Sequence, residues 1–206
     1  NSRKHAFVED LSDSRPKIKQ WLGDSRDVYF ALATFKESGS REAANALFLR
    51  SLFIDMDGYA SKKDAVTALS KFLSKTGLDV FGVPHIVGSG GGVHCYWPFL
   101  DAIDATTWKP LAENFKRLCK QEGLSIDMTV TSDAARVLRI PGTANFKEKY
   151  ETPRPVKLLV QGDVCMDPKL FGATVRSLLT DAYAPLSNQF AATSVTLDGA
   201  RPSKAS

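Results

Sequence analysis

The sequence predicts a mixed fold, α/β or α+β, and three observations carry that reading. Strand-like and helix-like segments alternate through the chain of 206 residues. The stretch 104–121 holds a clear helical stripe, with Trp108, Leu111, Phe115 and Leu118 recurring at spacings of three and four. A glycine run at 88–92 joins two strand-like segments in the manner of an antiparallel hairpin.

Taken in order, residues 28–35 (VYFALATF) read as a buried strand. Residues 41–48 read as a short helix with Ser40 as its N-cap. Residues 52–57 (LFIDMD) form a strand carrying two acids. A helix over 61–75 puts Val66, Leu69, Phe72 and Leu73 on one stripe. Strands at 83–87 and 93–99 flank the glycines, and Gly123 suits the end of the 104–121 helix. A short strand around 125–128 is expected, then one at 136–140, the turn Pro141-Gly142, a strand at 156–160 and a helix at 170–179. From about residue 184 the chain turns small and polar, so 1–183 is read as the folded domain and 184–206 as a linker or tail.

Composition narrows the class. Hydrophobic residues make up 43% and charged residues 24%, as in an ordinary globular domain. No run approaches the roughly 20 apolar residues of a membrane span, and the first ten residues lack the apolar centre of a signal peptide. Cys95, Cys119 and Cys165 form no CxxC pair, so neither a disulfide framework nor a zinc site is expected. They read as buried small residues in a reducing, cytoplasmic setting. A net charge of +4 is compatible with a polyanionic partner without deciding for one. More telling is the succession Arg136, Arg139, Lys147, Lys149, Arg154 and Lys157.

Three segments carry chemistry. In a strand alternate side chains share a face, so Asp55 and Asp57 point together, about 7 Å apart, away from Ile54 and Met56. Such a pair repels itself unless a hard divalent cation is held between them, and Mg²⁺ and Mn²⁺ favour carboxylate oxygens. In the second segment, Gly88 to Trp97, clustered glycines let backbone N–H groups approach an anion. His94 and Tyr96 project to one face of the strand that follows, Val93, Cys95 and Trp97 to the other. The third runs from Ser125 to Lys147. Asp127 ends a short apolar segment as Asp55 does, Asp133 is a second acid, and Arg136 and Arg139 are fork-shaped donors suited to phosphate oxygens.

These segments, in this order, resemble the archaeo-eukaryotic primase superfamily, in particular the primase-polymerase domains of phages, plasmids and integrated elements. Asp55 and Asp57 match its first motif, Ser89 through His94 with Tyr96-Trp97 its second, and Asp127 its third. The string Arg136-Val137-Leu138-Arg139-Ile140-Pro141-Gly142-Thr143, with Asn145 and Lys147, looks like the arginine-rich signature of the mobile-element branch.

The resemblance implies an α+β catalytic core, an α/β unit packed on an RRM-like antiparallel sheet, with interleaved parts and the acids in a cleft between them. It also implies template-directed nucleotidyl transfer with dNTP or NTP on a single-stranded DNA template and primer. Asp55, Asp57 and Asp127 would hold two Mg²⁺ or Mn²⁺ ions, with Asp133 as an alternative or additional third acid. Ser89, Gly90, Gly91, His94, Arg136 and Arg139 would bind nucleotide, with Lys147, Arg41 and Lys62 as further candidates. No zinc and no membrane are expected. The setting would be the cytoplasm of a bacterial or archaeal host, with a helicase domain or protein outside this chain as partner.

Two rivals were weighed. Phe53-Ile54-Asp55-Met56-Asp57-Gly58 also looks like the nucleophile motif of haloacid dehalogenase-type phosphatases, with Asp55 as nucleophile. That reading leaves the glycine-histidine hairpin and the arginine string unexplained. A non-catalytic RRM-like module could stack bases on Tyr96 and Phe146, yet gives no reason to pair two acids against a polyanion.

Overall fold

The computed structural model describes residues 4–180; the expected tail at 184–206 lies outside the described residues. A sheet of five antiparallel strands organises the chain, in the order β2 (Ala33–Phe35), β3 (Ala46–Met56), β5 (Val93–Asp104), β4 (His85–Gly88), β9 (Lys157–Val160). Two short ribbons stand apart from it. One pairs β1 (Tyr29–Ala31) with β6 (Val137–Arg139), and the other pairs β7 (Ala144–Asn145) with β8 (Arg154–Pro155). The helices are α1 (Ser14–Gly23), α2 (Lys62–Thr76), α3 (Ala105–Gln121) and α4 (Pro168–Leu178). The α+β expectation holds. The partition into an α/β unit and a separate RRM-like sheet takes the form of one antiparallel sheet with helices and ribbons around it.

Helix boundaries follow local chemistry. Ser61 caps α2 by accepting from the Asp64 amide at 3.1 Å, while its hydroxyl donates to the Asp64 carboxylate at 2.7 Å. Gly77, at φ +70°, ends the helix in the left-handed region. Asp104 caps α3 through the Thr107 amide at 2.9 Å, and Asp167 caps α4 with Pro168 in its first turn. The predicted stripe of α3 is buried and makes the core. Phe115 meets Trp97 of β5, Phe72 of α2 and Phe171 of α4 with ring centroids 5.1, 6.3 and 5.5 Å away.

Four local expectations are corrected. Residues 28–35 are not one buried strand: β1 and β2 belong to different sheets, and the chain changes sheet at Leu32, whose amide donates to the Arg136 carbonyl at 3.3 Å. Residues 41–48 are not a helix. Only Ala43–Asn45 form a 3-10 turn, and β3 begins at Ala46. The weak helix propensity of this segment yields to the ladder against β5, which extends to Phe48 opposite Asp104. The segment 125–128 is irregular. Finally, Cys95 and Cys119 are buried, but Cys165 is exposed. Among the described residues no helix is long and apolar enough to cross a membrane.

Candidate active site

Strand pairing sets the geometry. In the β3–β5 ladder Asp55 lies directly opposite His94, and in the β5–β4 ladder His94 lies opposite Val87. His94 Nε2 is 3.8 Å from Asp55 Oδ1, and its Nδ1 is 3.4 Å from the Tyr96 hydroxyl. Burial, helped by the Arg139 and Arg136 charges, pushes His94 down to about 3, so the imidazole is neutral at physiological pH. The contact with Asp55 is therefore not an ion pair.

Asp55 is the most perturbed acid of the site. Burial, with repulsion from Asp57 and Asp127, raises it to about 7, while Arg136 and Lys147 pull it back. Its Oδ1 is buried without a hydrogen-bond partner. Asp127 reaches the same place from the loop after α3, its amide donating to the Asp55 carbonyl at 2.8 Å. The Asp127 carboxylate accepts from the Thr129 hydroxyl at 2.6 Å and the Thr129 amide at 2.9 Å. Those bonds, the hydroxyl's first, hold it below the usual carboxylate range. Asp133 instead closes its own turn, accepting from the Ala135 amide at 3.0 Å.

The glycine hairpin is shaped by what lies against it. A Cβ at Gly92 would overlap the Asp57 carboxylate and the Met56 carbonyl, and one at Gly91 would meet the Tyr150 hydroxyl at 2.8 Å. Gly90, at φ +87°, has Asn145 and Arg154 against it. Ser89 closes the turn, its hydroxyl accepting from the Gly92 amide at 3.2 Å. The β7–β8 ribbon clasps it from the side: Asn145, paired with Arg154, donates to the Ser89 carbonyl at 3.1 Å, and Arg154 stacks on Tyr150 at 3.9 Å. Close packing alone thus requires glycine at 90, 91 and 92, whether or not a phosphate also docks there.

The cations divide. Arg136 keeps a buried Nε with no hydrogen-bond partner and acts electrostatically on Asp55, Asp127 and His94. Arg139 is committed elsewhere: it is buried and donates to Asp27 at 3.2 and 3.1 Å and to the Tyr29 hydroxyl at 2.7 Å. Arg41 binds the Ala135 carbonyl, next to Arg136 in the chain. Lys62 Nζ sits over Gly88, which pairs with Val93, on the sheet face opposite Asp55 and His94. Lys147 adds positive charge near Asp55.

No family model matches the chain. A "Replication protein" of Clostridium perfringens is 28% identical over 150 residues, 71% of this chain and 33% of that protein, so the chain spans about a third of its length. Among solved structures, the primase-polymerase (PrimPol) AEP domain of cyanophage S-2L aligns with a TM-score of 0.56 at 18% identity, covering 78% of this chain and 76% of that one. This chain has the archaeo-eukaryotic primase fold. The polymerase domain of Mycobacterium tuberculosis ligase D, in complex with DNA, aligns at a TM-score of 0.44 with 14% identity, over 73% of this chain and 60% of that one.

Within this primase fold, Asp55, Asp57, Asp127, the 88–93 hairpin, His94, Arg136 and Lys147 come together, while Asp133, Lys62 and Arg41 face other surroundings. Asp27 was missed by sequence reasoning. It accepts from Arg139 and from the Phe146 amide at 2.9 Å, so it ties β1 to both halves of the arginine-rich string. No local motif marks it, because its partners lie more than a hundred residues away. Tyr150 was missed likewise. The donor chemistry fits a hard divalent cation, since a buried carboxylate oxygen without a partner, next to two further acids, is what such an ion satisfies. Among the described residues no three His, Cys, Asp or Glu side chains already form a closed cage, and Asp127 is turned toward Thr129.

Proposed function

We propose that this chain is a template-directed nucleotidyltransferase, a DNA primase or polymerase domain that adds nucleotides on single-stranded DNA. The observation that carries it is the convergence of Asp55, Asp57 and Asp127 beside the glycine-histidine hairpin, within a fold shared with a phage primase-polymerase domain. Asp55 and Asp57, with Asp127 after rotation away from Thr129, would hold Mg²⁺ or Mn²⁺. Such ions, when bound, activate the attacking 3′-hydroxyl and neutralise the leaving pyrophosphate. The chain's own part is positioning. Neutral His94 offers a hydrogen bond to the triphosphate of a dNTP or NTP without drawing a proton from Asp55. Arg136 and Lys147 supply charge against the phosphates. The Asn145 and Arg154 clasp holds the hairpin in register with Asp57. A helicase domain or protein outside this chain fits as partner. The phosphatase alternative is not favoured, because a carboxyl held near 7 among other acids makes a poor nucleophile.

Primer extension on a single-stranded template, with Mn²⁺ or Mg²⁺ and either dNTPs or NTPs, tests the proposal directly. Extension is expected, and its absence under every combination would refute it. Replacing His94 with Ala is expected to raise the KM for nucleotide about tenfold or more while DNA affinity stays within a factor of two. An unchanged KM would remove His94 from the nucleotide site. Phosphate contacts also predict DNA affinity that falls with salt, and a flat response would place the cations elsewhere.

A further inference from the structure

The face of the sheet that carries Asp55 and His94 does not end at the acids. Beyond His94, Tyr96 is the next residue on that face of β5, about 7 Å along the strand, and it pairs with His85 of β4. The β1–β6 ribbon stands opposite, bringing the Phe30 ring to 6.2 Å from the Tyr96 ring. Between them lies a cavity of about 440 Å³ lined by Phe30, Tyr96, Val87, Leu158, Pro141 and His85, among others. Its size is within the range of small-molecule sites, ~300–1,000 Å³. Phe30 is 37% exposed and Leu158 48%, so the lining presents apolar and aromatic surface that the chain itself leaves uncovered.

Two features say what covers it. The first is charge. The cavity shares a wall with the acid and hairpin site through the Tyr96 hydroxyl on His94 Nδ1. Arg136 and Lys147 place positive charge by that site, whereas the cavity wall is apolar and aromatic. An occupant spanning both must be anionic at one end and flat and apolar at the other. The second is polarity within the cavity. His85 Nδ1 accepts from the Gly162 amide at 3.0 Å. The neutral ring then keeps its Nε2–H as a donor. A purely apolar partner would leave that donor unmatched, and a heterocycle with ring nitrogens and carbonyls would not.

We infer that the pocket between Phe30 and Tyr96 seats the nucleobase of the incoming nucleoside triphosphate, whose phosphates lie at the His94 hairpin. The inference rests on the nucleotidyltransferase reading and deepens it, because it assigns binding energy to a part of the nucleotide that the acids and cations do not touch. Base stacking on an aromatic ring tolerates all four bases, as a templated enzyme requires, since each base has a π-face and sequence is read by pairing with the template.

The test compares three ligands on the whole chain in Mg²⁺ without primer: dATP and inorganic tripolyphosphate by calorimetry, and a fluorescent single-stranded oligonucleotide by anisotropy. Phe30→Ala is expected to weaken dATP about tenfold, leaving tripolyphosphate and oligonucleotide affinities unchanged. Phe30→Trp, which keeps a stacking surface, is expected to retain dATP binding, and it carries the test if the alanine variant does not fold. Equal losses for dATP and tripolyphosphate, no loss for either, or a loss confined to the oligonucleotide would each overturn the assignment; the last would give the pocket to a base of the DNA strand. Wild-type protein that binds dATP through Phe30 yet extends no primer would remove the polymerase reading and leave the pocket standing. Primer extension with a nucleotide KM indifferent to Phe30→Ala would do the reverse.

Discussion

Replacing Asp55 and Asp57 together with Asn is expected to reduce nucleotide incorporation by at least about 10³-fold and to leave the domain folded. The size follows from what the carboxylates hold: divalent ions supply several kcal/mol of charge stabilisation in phosphoryl transfer, and each 1.36 kcal/mol is a factor of ten. The fold survives because neither carboxylate supports it. The buried Oδ1 of Asp55 has no hydrogen-bond partner, and the β3–β5 ladder runs through the backbone. Asp55 is in fact a burden on the metal-free protein. Its carboxyl is raised from 3.8 to about 7 by burial, with repulsion from Asp57 and Asp127. Between those values the folded state holds a proton that the unfolded chain has released, so stability falls as pH rises from about 4 to about 7 and levels off above. The single variant Asp55→Asn is expected to lose that slope and to be more stable than wild type at pH 8 by up to about 4 kcal/mol. Saturating Mn²⁺ should stabilise wild type and not the double variant. Denaturant titrations at pH 4.5 and pH 8, with and without Mn²⁺, read all of this. Full incorporation by the double variant, or parallel pH profiles for wild type and Asp55→Asn, would refute the assignment.

Asp27→Ala is expected to destabilise the domain by about 3 kcal/mol. The side chain of Arg139 is only 7% exposed and that of Asp27 25%, so removal of the carboxylate strands a buried guanidinium and frees the Phe146 amide as well. Burial raises Asp27, but the hydrogen bonds from Arg139 and Phe146 more than offset that and leave it below its ordinary value. The pair is therefore charged throughout the neutral range. In a domain of this size the loss should lower Tm by roughly 6–12 °C. Arg139→Met is expected to cost less, since the carboxylate left behind can reach water. The double variant should lie well short of the sum. Additive losses would show that the two side chains do not act as a pair. The contrast also separates a framework arginine from a ligand arginine: if Arg139 served phosphate rather than Asp27, Arg139→Met would cripple nucleotide binding while Asp27→Ala left stability unchanged.

Much of the site was legible in one dimension because its groups sit on short, locally encoded elements. The alternation in LFIDMD sets the Asp55 face, the glycine run specifies a turn between two strands, and Asn145 and Lys147 follow the Pro141-Gly142 turn at fixed spacing. The helices were equally readable where caps and stripes agree, as in α2 with Ser61 and Gly77 or α3 with Asp104 and Gly123. The failures share a cause. Residues 41–48 carry helix-compatible side chains, yet β5 continues long enough to draw them into a ladder, and no window of eight residues contains its partner strand.

Residue type and spacing by themselves thus determined an α+β chain, an acidic strand, a glycine-histidine hairpin and an arginine-rich string. Only the tertiary structure decided what each charged group meets. Arg136 is left beside the acids while Arg139 is spent on Asp27, Asp127 rather than Asp133 comes to Asp55, and Tyr150 closes on Gly91. Electrostatics and close packing act through space, and the distances that govern them are made by strand pairing between segments remote in the chain.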